Sequence, residues 1–559
     1  MSGFYVSNLH IEPELFAKKC VYLKKRSGAS NFASLLGNIT FAKSTSLPDS
    51  NFEVTHGCTI ASDTSICNIA SLKNAFPHCN SEEELLVSLY RKYGEKMASY
   101  LNGGFSFVIY DSNKRILFGA RDRLGKKPLF YYYNNGSFEF SSSLKAICAG
   151  KKSLSVNEKA RNMYIQNGYI LDSACIFEGI SKLKAGHCFV YSLDDKRLQI
   201  TKYWDVDPSF YKNSCSCKDL SDILAYTDFL IKDAIKIRIP QTENFGMGVS
   251  AGTDSFSVFC YLNKMGFDPE LFTVIAGTSK EFNEYPDALD HVKQISKYKT
   301  VNPILISSSR YLEGIKDYFD FYEEPNSDFS CPITNSLFRE MNSRSIRKAF
   351  SGTGADDIFF GKPIYSTGIG KEKAYKGPSY TPGLEDMCKD IIEVDDYSDI
   401  LVAGDPMTLQ YYDMKVYLPN LLVKEDIAAS HYGINIFNPF CDYRLAEFMN
   451  TLSMNDIFHG KKFKYLLKQI LLKKFKVDFF KAKKKGFFPN LTEVANAPSI
   501  KSDINSLLDK DRVNFYFPEL SYELLKDKME KYNEGDNYRN VLNIYFFIKI
   551  LENYRLNVF

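Results

Sequence analysis

Ser250-Ala251-Gly252-Thr253-Asp254-Ser255 groups three hydroxyls, a glycine and a carboxylate directly after the apolar run Phe245 to Val249. A strand that turns through small residues into a helix aims free N–H groups and the positive end of the helix dipole at an anion. Gly252 lets the backbone approach that anion, the hydroxyls of Ser250, Thr253 and Ser255 can donate to it, and Asp254 can hold the magnesium that accompanies a polyphosphate. A second small-residue turn, Phe350 to Asp357 (FSGTGADD), follows a helix predicted over Ile333 to Lys348 and adds Asp356 and Asp357 beside flexible glycines. Two such turns can face one polyphosphate, which points to ATP chemistry.

With these motifs, SAGTDS and SGTGADDIFFG, the sequence resembles the asparagine synthetase family, whose ligase domain carries S-G-G-x-D-S and then S-G-E-G-x-D-E-x-F-G-G. The likeness runs along the chain in order. Residues 103–147 resemble the end of the family's glutaminase domain, and Lys182 to His187 (KLKAGH) with Tyr203-Trp204-Asp205 resemble its junction. Glu323-Glu324-Pro325, Tyr417 to Lys424 (YLPNLLVK), Asn438 to Leu445 (NPFCDYRL) and Lys484-Lys485-Gly486-Phe487 follow. The resemblance implies that the first loop binds the pyrophosphate of ATP and that Asp254 and Asp356 hold Mg²⁺. It implies that Ser351, Gly352 and the backbone near Val274 line the nucleotide pocket. A substrate carboxylate would attack the α-phosphorus of ATP, and an amine would then displace AMP from the acyl-adenylate. Lys484 matches the lysine beside the adenylate and is expected to be catalytic; Lys424 matches a lysine expected to be structural.

The departures from the family fall where its chemistry occurs. Members that hydrolyse glutamine begin Met-Cys-Gly, and here Ser2 stands at the cysteine position. Serine is a far weaker nucleophile than a thiol at neutral pH, although an adjacent amine activates hydroxyls in some hydrolases. Arg26-Ser27-Gly28-Ala29 stands for R-G-P-D, and His56 to Ala61 (HGCTIA) is expected to stand for N-G-E-I-Y-N, leaving Glu82 as a carboxylate for an amino-acid ammonium. Thr353 replaces the family's Glu, and relatives that close β-lactam rings carry Tyr with a partnering Glu there. A threonine hydroxyl cannot act as a general base near neutral pH. Activation of the amine then falls to Asp357, to Glu324 or to the substrate itself, and the smaller side chain widens the site for an acceptor larger than ammonia. Asn435 and Phe437 replace part of an E-V-R segment.

These groups need two kinds of scaffold. Up to about residue 205 short alternating apolar segments are separated by Gly, Asn and Ser, which predicts antiparallel sheet, with one helix from Ser81 to Tyr93 capped by Ser81. From about Asp219 helical runs alternate with apolar strands, which predicts a parallel sheet with ligands at its strand C-termini. With the Ntn and ATP-pyrophosphatase types that the resemblance implies, the expected fold is an α+β, Ntn-type antiparallel sandwich over residues 1–206, then an α/β ATP-pyrophosphatase-like domain with a helical C-terminal part over 219–559. Residues 364–383 have the Gly, Ser and Pro content of a loop, either an active-site lid or a solvated insertion. The lysine tract 461–485 is expected to be an amphipathic helix with a solvated face.

The 559 residues, 45% apolar and 25% charged with net charge +3, fit a large globular enzyme and give no broad polyanion-binding surface, so no nucleic-acid partner is expected. No apolar run has spanning length, and residues 1–10 lack the regions of a secretory signal, so no membrane partner is expected. Thirteen scattered cysteines suit reduced thiols in the cytoplasm. The expected activity is an AMP-forming, ATP- and Mg²⁺-dependent amide synthetase of specialised (natural product) biosynthesis. It joins a small-molecule or peptide carboxylate to an amine without glutamine hydrolysis, and a homodimer is compatible with it. The alternatives are a glutamine-dependent amidotransferase acting on a small or sugar-linked carboxylate, with the family's N-terminal cysteine replaced by Ser2, and a family-derived binding protein that has lost turnover.

Overall fold

The computed structural model describes residues 2–554 other than 27–29, 37, 46–53, 56, 173, 207–215, 218, 241–243, 276–282, 363–364, 366–383, 385–386, 389–405, 460–461, 481–495 and 533–536. The expected lid, the boundary segment from Asp207 and Lys484 therefore lie wholly or mainly outside the described residues.

Alternating side chains in the first two hundred residues build two six-stranded antiparallel sheets. One runs in the order Ile180–Lys182, Phe130–Asn134, Ser137–Ser141, Ser2–Ser7, Ile39–Thr45, Ser30–Leu36. The other runs Arg197–Lys202, His187–Ser192, Ile116–Arg121, Gly103–Asp111, Cys58–Ile66, Val54–Thr55. Because successive strand residues face opposite ways, Phe4 and Val6 enter a core between the sheets with Phe41, Val108, Phe140 and Phe189. Tyr5 faces the other way, against the helix Pro13–Lys24 through Cys20 and Leu23. The far face of the second sheet is covered by the helix Glu82–Tyr93, whose Leu85, Leu86 and Leu89 meet Phe105, Phe107 and Phe118. Ser81 caps this helix by accepting from the Glu84 N–H at 3.0 Å. The N-terminal part is thus a four-layer helix–sheet–sheet–helix sandwich.

The second half is built on five parallel strands in the spatial order Val301–Leu305, Glu270–Ile275, Gly246–Gly248, Lys348–Phe350, Asn435–Phe437. In chain order this is third, second, first, fourth, fifth, so the connections leave the first strand in opposite directions. The crevice between the C-terminal ends of Gly246–Gly248 and Lys348–Phe350 is the topological switch point, where open α/β sheets bind their ligands. The helix preceding the fourth strand spans Cys331–Ser343, shorter than the expected Ile333 to Lys348, because Lys348 already opens the strand.

The long helix Pro406–His431 carries Pro419 in its interior and packs against the fifth strand and the helix Cys331–Ser343. Helices from Pro498 onward form the C-terminal part, and the buried helix Asn537–Glu552 joins the same core as buried residues between Leu144 and Ile180, Trp204, Val206 and the parallel sheet. The lysine tract is not one amphipathic helix. It gives a short helix Tyr465–Ile470, a widened turn Leu471–Phe475 and then Lys476 in the left-handed region (φ 64°), which stops it.

Candidate active site

The loop after Gly246–Gly248 closes on itself before it meets anything else. Ser250 N donates to Ser255 Oγ at 2.9 Å, and Gly252 N donates to Ser250 Oγ at 3.1 Å, so two hydroxyls hold the turn. The helix Thr253–Lys264 starts at Gly252, which offers no side-chain acceptor to the first turn. Its N-terminus therefore faces the switch point with anion-binding groups. The loop after Lys348–Phe350 arrives beside it. Ser351 and Thr353 hydroxyls lie 2.9 Å apart, and a Cβ on Gly352 would sit 2.5 Å from Ser255 N and 2.8 Å from the Asp254 carbonyl carbon. The two loops thus touch backbone to backbone, which only glycine allows at position 352. Val274, in the neighbouring strand Glu270–Ile275, is buried beside this crevice.

This contact brings Asp254 and Asp356 to one point. Between them lies a cation that the sequence did not reveal, the Lys464 ammonium, 2.5 Å from Asp254 Oδ1 and 2.7 Å from Asp356 Oδ1. Burial opposes the charge on Lys464, but the two carboxylates more than reverse this and hold its pKa above the ordinary lysine value. A pair of hard oxygen donors that already accommodates a cation fits Mg²⁺. Among the described residues no group of three acidic, histidine or cysteine side chains forms a self-sufficient metal site, so phosphate oxygens and water would complete the shell.

The assignment of Asp357 to catalysis needs correction. Asp357 is 1% exposed and pairs with Lys362 at 2.8 Å, and Lys362 also holds Asp413 at 2.8 Å. As the side chain next to Asp356 in a helical turn it points into the core, where burial and Asp413 raise its pKa. Glu324 is likewise engaged elsewhere, accepting from Ile176 N at 3.0 Å and pairing with Lys182 at 2.9 Å. The carboxylate that does reach Thr353 is Glu425, on the helix Pro406–His431. Thr353 Oγ1 donates to Glu425 Oε1 at 3.3 Å, and Asn438 Nδ2 donates to Glu425 Oε2 at 2.6 Å. Lys424, one residue earlier, is buried against Asp328 at 2.6 Å and Ser330 at 3.0 Å. His187 Nδ1 donates to the Ala185 carbonyl at 2.9 Å, and His431 stacks on Phe321 at 3.8 Å.

The N-terminal sandwich holds a second polar centre. Ser2 N donates to Asp63 Oδ1 at 3.3 Å, and Asp63 belongs to a buried cluster of four charges. The Arg26 guanidinium contacts Asp63 at 2.9 Å and Asp426 at 3.0 Å, while Lys127 contacts Asp63 at 3.2 Å and Asp426 at 2.7 Å. Asp426 comes from the long helix of the second half. Adjacent helix residues point about 100° apart, so Glu425 faces the switch point while Asp426 faces Arg26 and Lys127. The expected role of His56 to Ala61 is corrected too. Gly57 turns a hairpin (φ 81°) and Cys58 opens the strand Cys58–Ile66. At about 3.3 Å per residue the Cys58 end lies roughly 17 Å along the strand from Asp63, which is the residue that meets Ser2.

A parallel sheet with two phosphate-type loops at its switch point defines a nucleotide-binding α/β domain. The asparagine synthase family profile matches residues 227–548, and a glutamine amidotransferase domain profile matches residues 52–204. The chain belongs to the asparagine synthase family. It is similar to a Methanocaldococcus jannaschii protein named "Putative asparagine synthetase (glutamine-hydrolyzing) 2", with 29% identity over 56% of this chain and 61% of that one. It is also similar to the Bacillus subtilis glutamine-hydrolyzing asparagine synthetases 1 and 3. Each is 25% identical, over 55% and 70% of this chain and 47% and 68% of theirs. The chain thus spans about half to two thirds of the length of the curated relatives it matches.

Proposed function

We propose that this protein is an ATP-dependent, AMP-forming carbon–nitrogen ligase that adenylates a substrate carboxylate and joins it to an amine without hydrolysing glutamine. The two loops at the switch point support the first half. The N-terminus of the helix Thr253–Lys264, with the hydroxyls of Ser250, Thr253 and Ser255, would bind the polyphosphate, and Asp254 and Asp356 would hold Mg²⁺. Magnesium, when bound, neutralises charge that develops on the phosphates. The substrate carboxylate attacks the α-phosphorus, giving acyl-adenylate and pyrophosphate. The amine then attacks the acyl carbon, its proton goes to Glu425, and AMP leaves as the amide forms. Glu425 is held for this by Thr353 and Asn438, and Lys484 would stabilise the charge on the reacting acyl group.

The observation that supports glutamine independence is the charge pairing beside Ser2. Arg26 and Asp63, which line that centre, are committed to Lys127 and Asp426 in a buried, mutually neutralising cluster. A free amino acid would have to break these pairs to use Arg26, at a cost of several kcal/mol per unpaired ion. With Ser2 in place of a thiol, residues 1–206 then serve as a wall of the ligase half. The names of the curated relatives favour the alternative in which glutamine supplies nitrogen, and the assays below separate the two. The acceptor is an amine larger than ammonia, as the room left by Thr353 allows, in specialised biosynthesis. A reducing cytoplasm suits the cysteines, which are all free thiols among the described residues. No helix among the described residues is long and apolar enough to cross a membrane.

ATP–pyrophosphate exchange over a panel of amino acid, sugar-linked and peptide carboxylates tests the reading. Exchange that depends on a particular carboxylate and disappears in Asp254→Asn is expected. Nucleotide binding without exchange for any carboxylate would favour a protein that has lost turnover.

A further inference from the structure

The residues of the polyphosphate site pair their charges with one another. On the cation side Lys464 lies within 2.7 Å of both Asp254 and Asp356, with the residue only 7% exposed. On the anion side the Ala251 N–H of the first loop donates to Glu284 Oε2 at 3.3 Å. A carboxylate stands where a phosphate oxygen would accept, and an ammonium stands where a metal would bind. Lys464 is not there by accident of a solvated tract. Its backbone is in the left-handed region (φ 52°), uncommon for lysine, and this conformation at the start of the helix Tyr465–Ile470 turns the side chain inward. Phe360 is also left-handed (φ 54°), and it delivers Gly361 so close that a Cβ there would sit 2.2 Å from both Lys464 Cε and Asp356 Oδ1. Strained backbone on two separate segments therefore positions one ammonium between the two carboxylates.

We propose that Lys464 is a resident counter-cation of the Asp254/Asp356 pair, displaced from it when metal arrives together with a polyphosphate. Free divalent cation meets a carboxylate pair whose charge is already half balanced, and it can bind there only by expelling the ammonium. A nucleotide brings phosphate oxygens that can receive the expelled ammonium. Lys464 then leaves the carboxylates for the phosphate, Glu284 yields the Ala251 N–H, and the metal takes the carboxylates. Metal and nucleotide therefore bind as one unit, and the carboxylates do not take up free Mg²⁺. The inference rests on the metal role given above to Asp254 and Asp356.

Mn²⁺ titration followed by electron paramagnetic resonance on the full chain tests it, with Mn²⁺ alone and with Mn²⁺ plus α,β-methylene-ATP. The wild type should bind Mn²⁺ weakly alone and tightly with the analogue. Lys464→Met and Lys464→Gln should each strengthen binding of Mn²⁺ alone by roughly tenfold or more, since a full positive charge beside both ligands is gone. Unchanged affinity for Mn²⁺ alone in both variants overturns the role of Lys464 while leaving the ligase reading intact. No Mn²⁺ binding by the wild type even with the analogue overturns both. Should the variants not fold, wild-type thermal unfolding decides: Mg²⁺ alone should leave the midpoint in place and Mg²⁺ with the analogue should raise it. An equal rise with Mg²⁺ alone overturns the proposal.

Discussion

Asp254 and Asp356 converge on a single cation, so each is expected to matter more than any hydroxyl around them. Asp254→Asn or Asp356→Asn should lower carboxylate-dependent AMP formation by about 10² or more, the loss of one electrostatic stabiliser. Near-normal turnover in both variants would place the nucleotide elsewhere. Glu425 and Lys484 belong to the second half-reaction. Glu425→Gln should reduce amide formation by about 10²–10⁴ while pyrophosphate release in a single turnover is largely kept. Thr353→Val removes only a hydrogen-bonding neighbour of Glu425 and should cost less than about tenfold. Lys484→Ala should likewise damage amide formation more than pyrophosphate release. Equal loss of both half-reactions in Glu425→Gln would remove Glu425 from the role of base.

The elements that position these residues were legible to different degrees. Both small-residue turns could be read from the sequence because glycine and hydroxyl side chains dictate the local backbone, and they do flank the switch point of the parallel sheet. The close approach at Gly352 carries a direct consequence. Gly352→Ala must push the loops apart, at about 1–3 kcal/mol, and should weaken binding of an ATP analogue accordingly in calorimetry. Lys464 was not legible. It stands among many lysines, and its partner Asp254 is 210 residues away, so nothing local separates it from a solvated neighbour. Glu425 was hidden for the same reason, 72 residues from Thr353. Asp357 was misread because adjacent carboxylates look alike in sequence, whereas a helical turn sends one to the site and the other to Lys362. His56 to Ala61 was misplaced because strand register, fixed by pairing of Cys58–Ile66 with Gly103–Asp111 and Val54–Thr55, decides which residues reach Ser2.

At the scale of the whole molecule the two halves are joined by buried charge. Burial works against ionised Asp63, but Lys127 and Arg26 more than reverse it and hold its carboxyl well below the usual range. A depressed folded-state pKa adds stability above the unfolded value of about 4, and that stability is lost as pH falls toward the folded value. Thermal midpoints should therefore drop steeply on acidification below about pH 4. Asp426→Asn leaves Arg26 and Lys127 short of a counter-charge and should destabilise the chain by about 3–5 kcal/mol in denaturant unfolding. The same cluster touches Ser2 through Asp63 and keeps Arg26 paired, so Ser2→Cys should not create glutaminase activity.

The account turns on where the nitrogen comes from, and one reaction measures it. The purified full chain is given Mg-ATP, glutamine and the carboxylate identified by pyrophosphate exchange, together with an amine acceptor, and pyrophosphate and glutamate are quantified in the same samples. Pyrophosphate that rises with the amine while glutamate stays at background is the expected result. Glutamate released in step with pyrophosphate would contradict it and make this chain a glutamine-dependent amidotransferase.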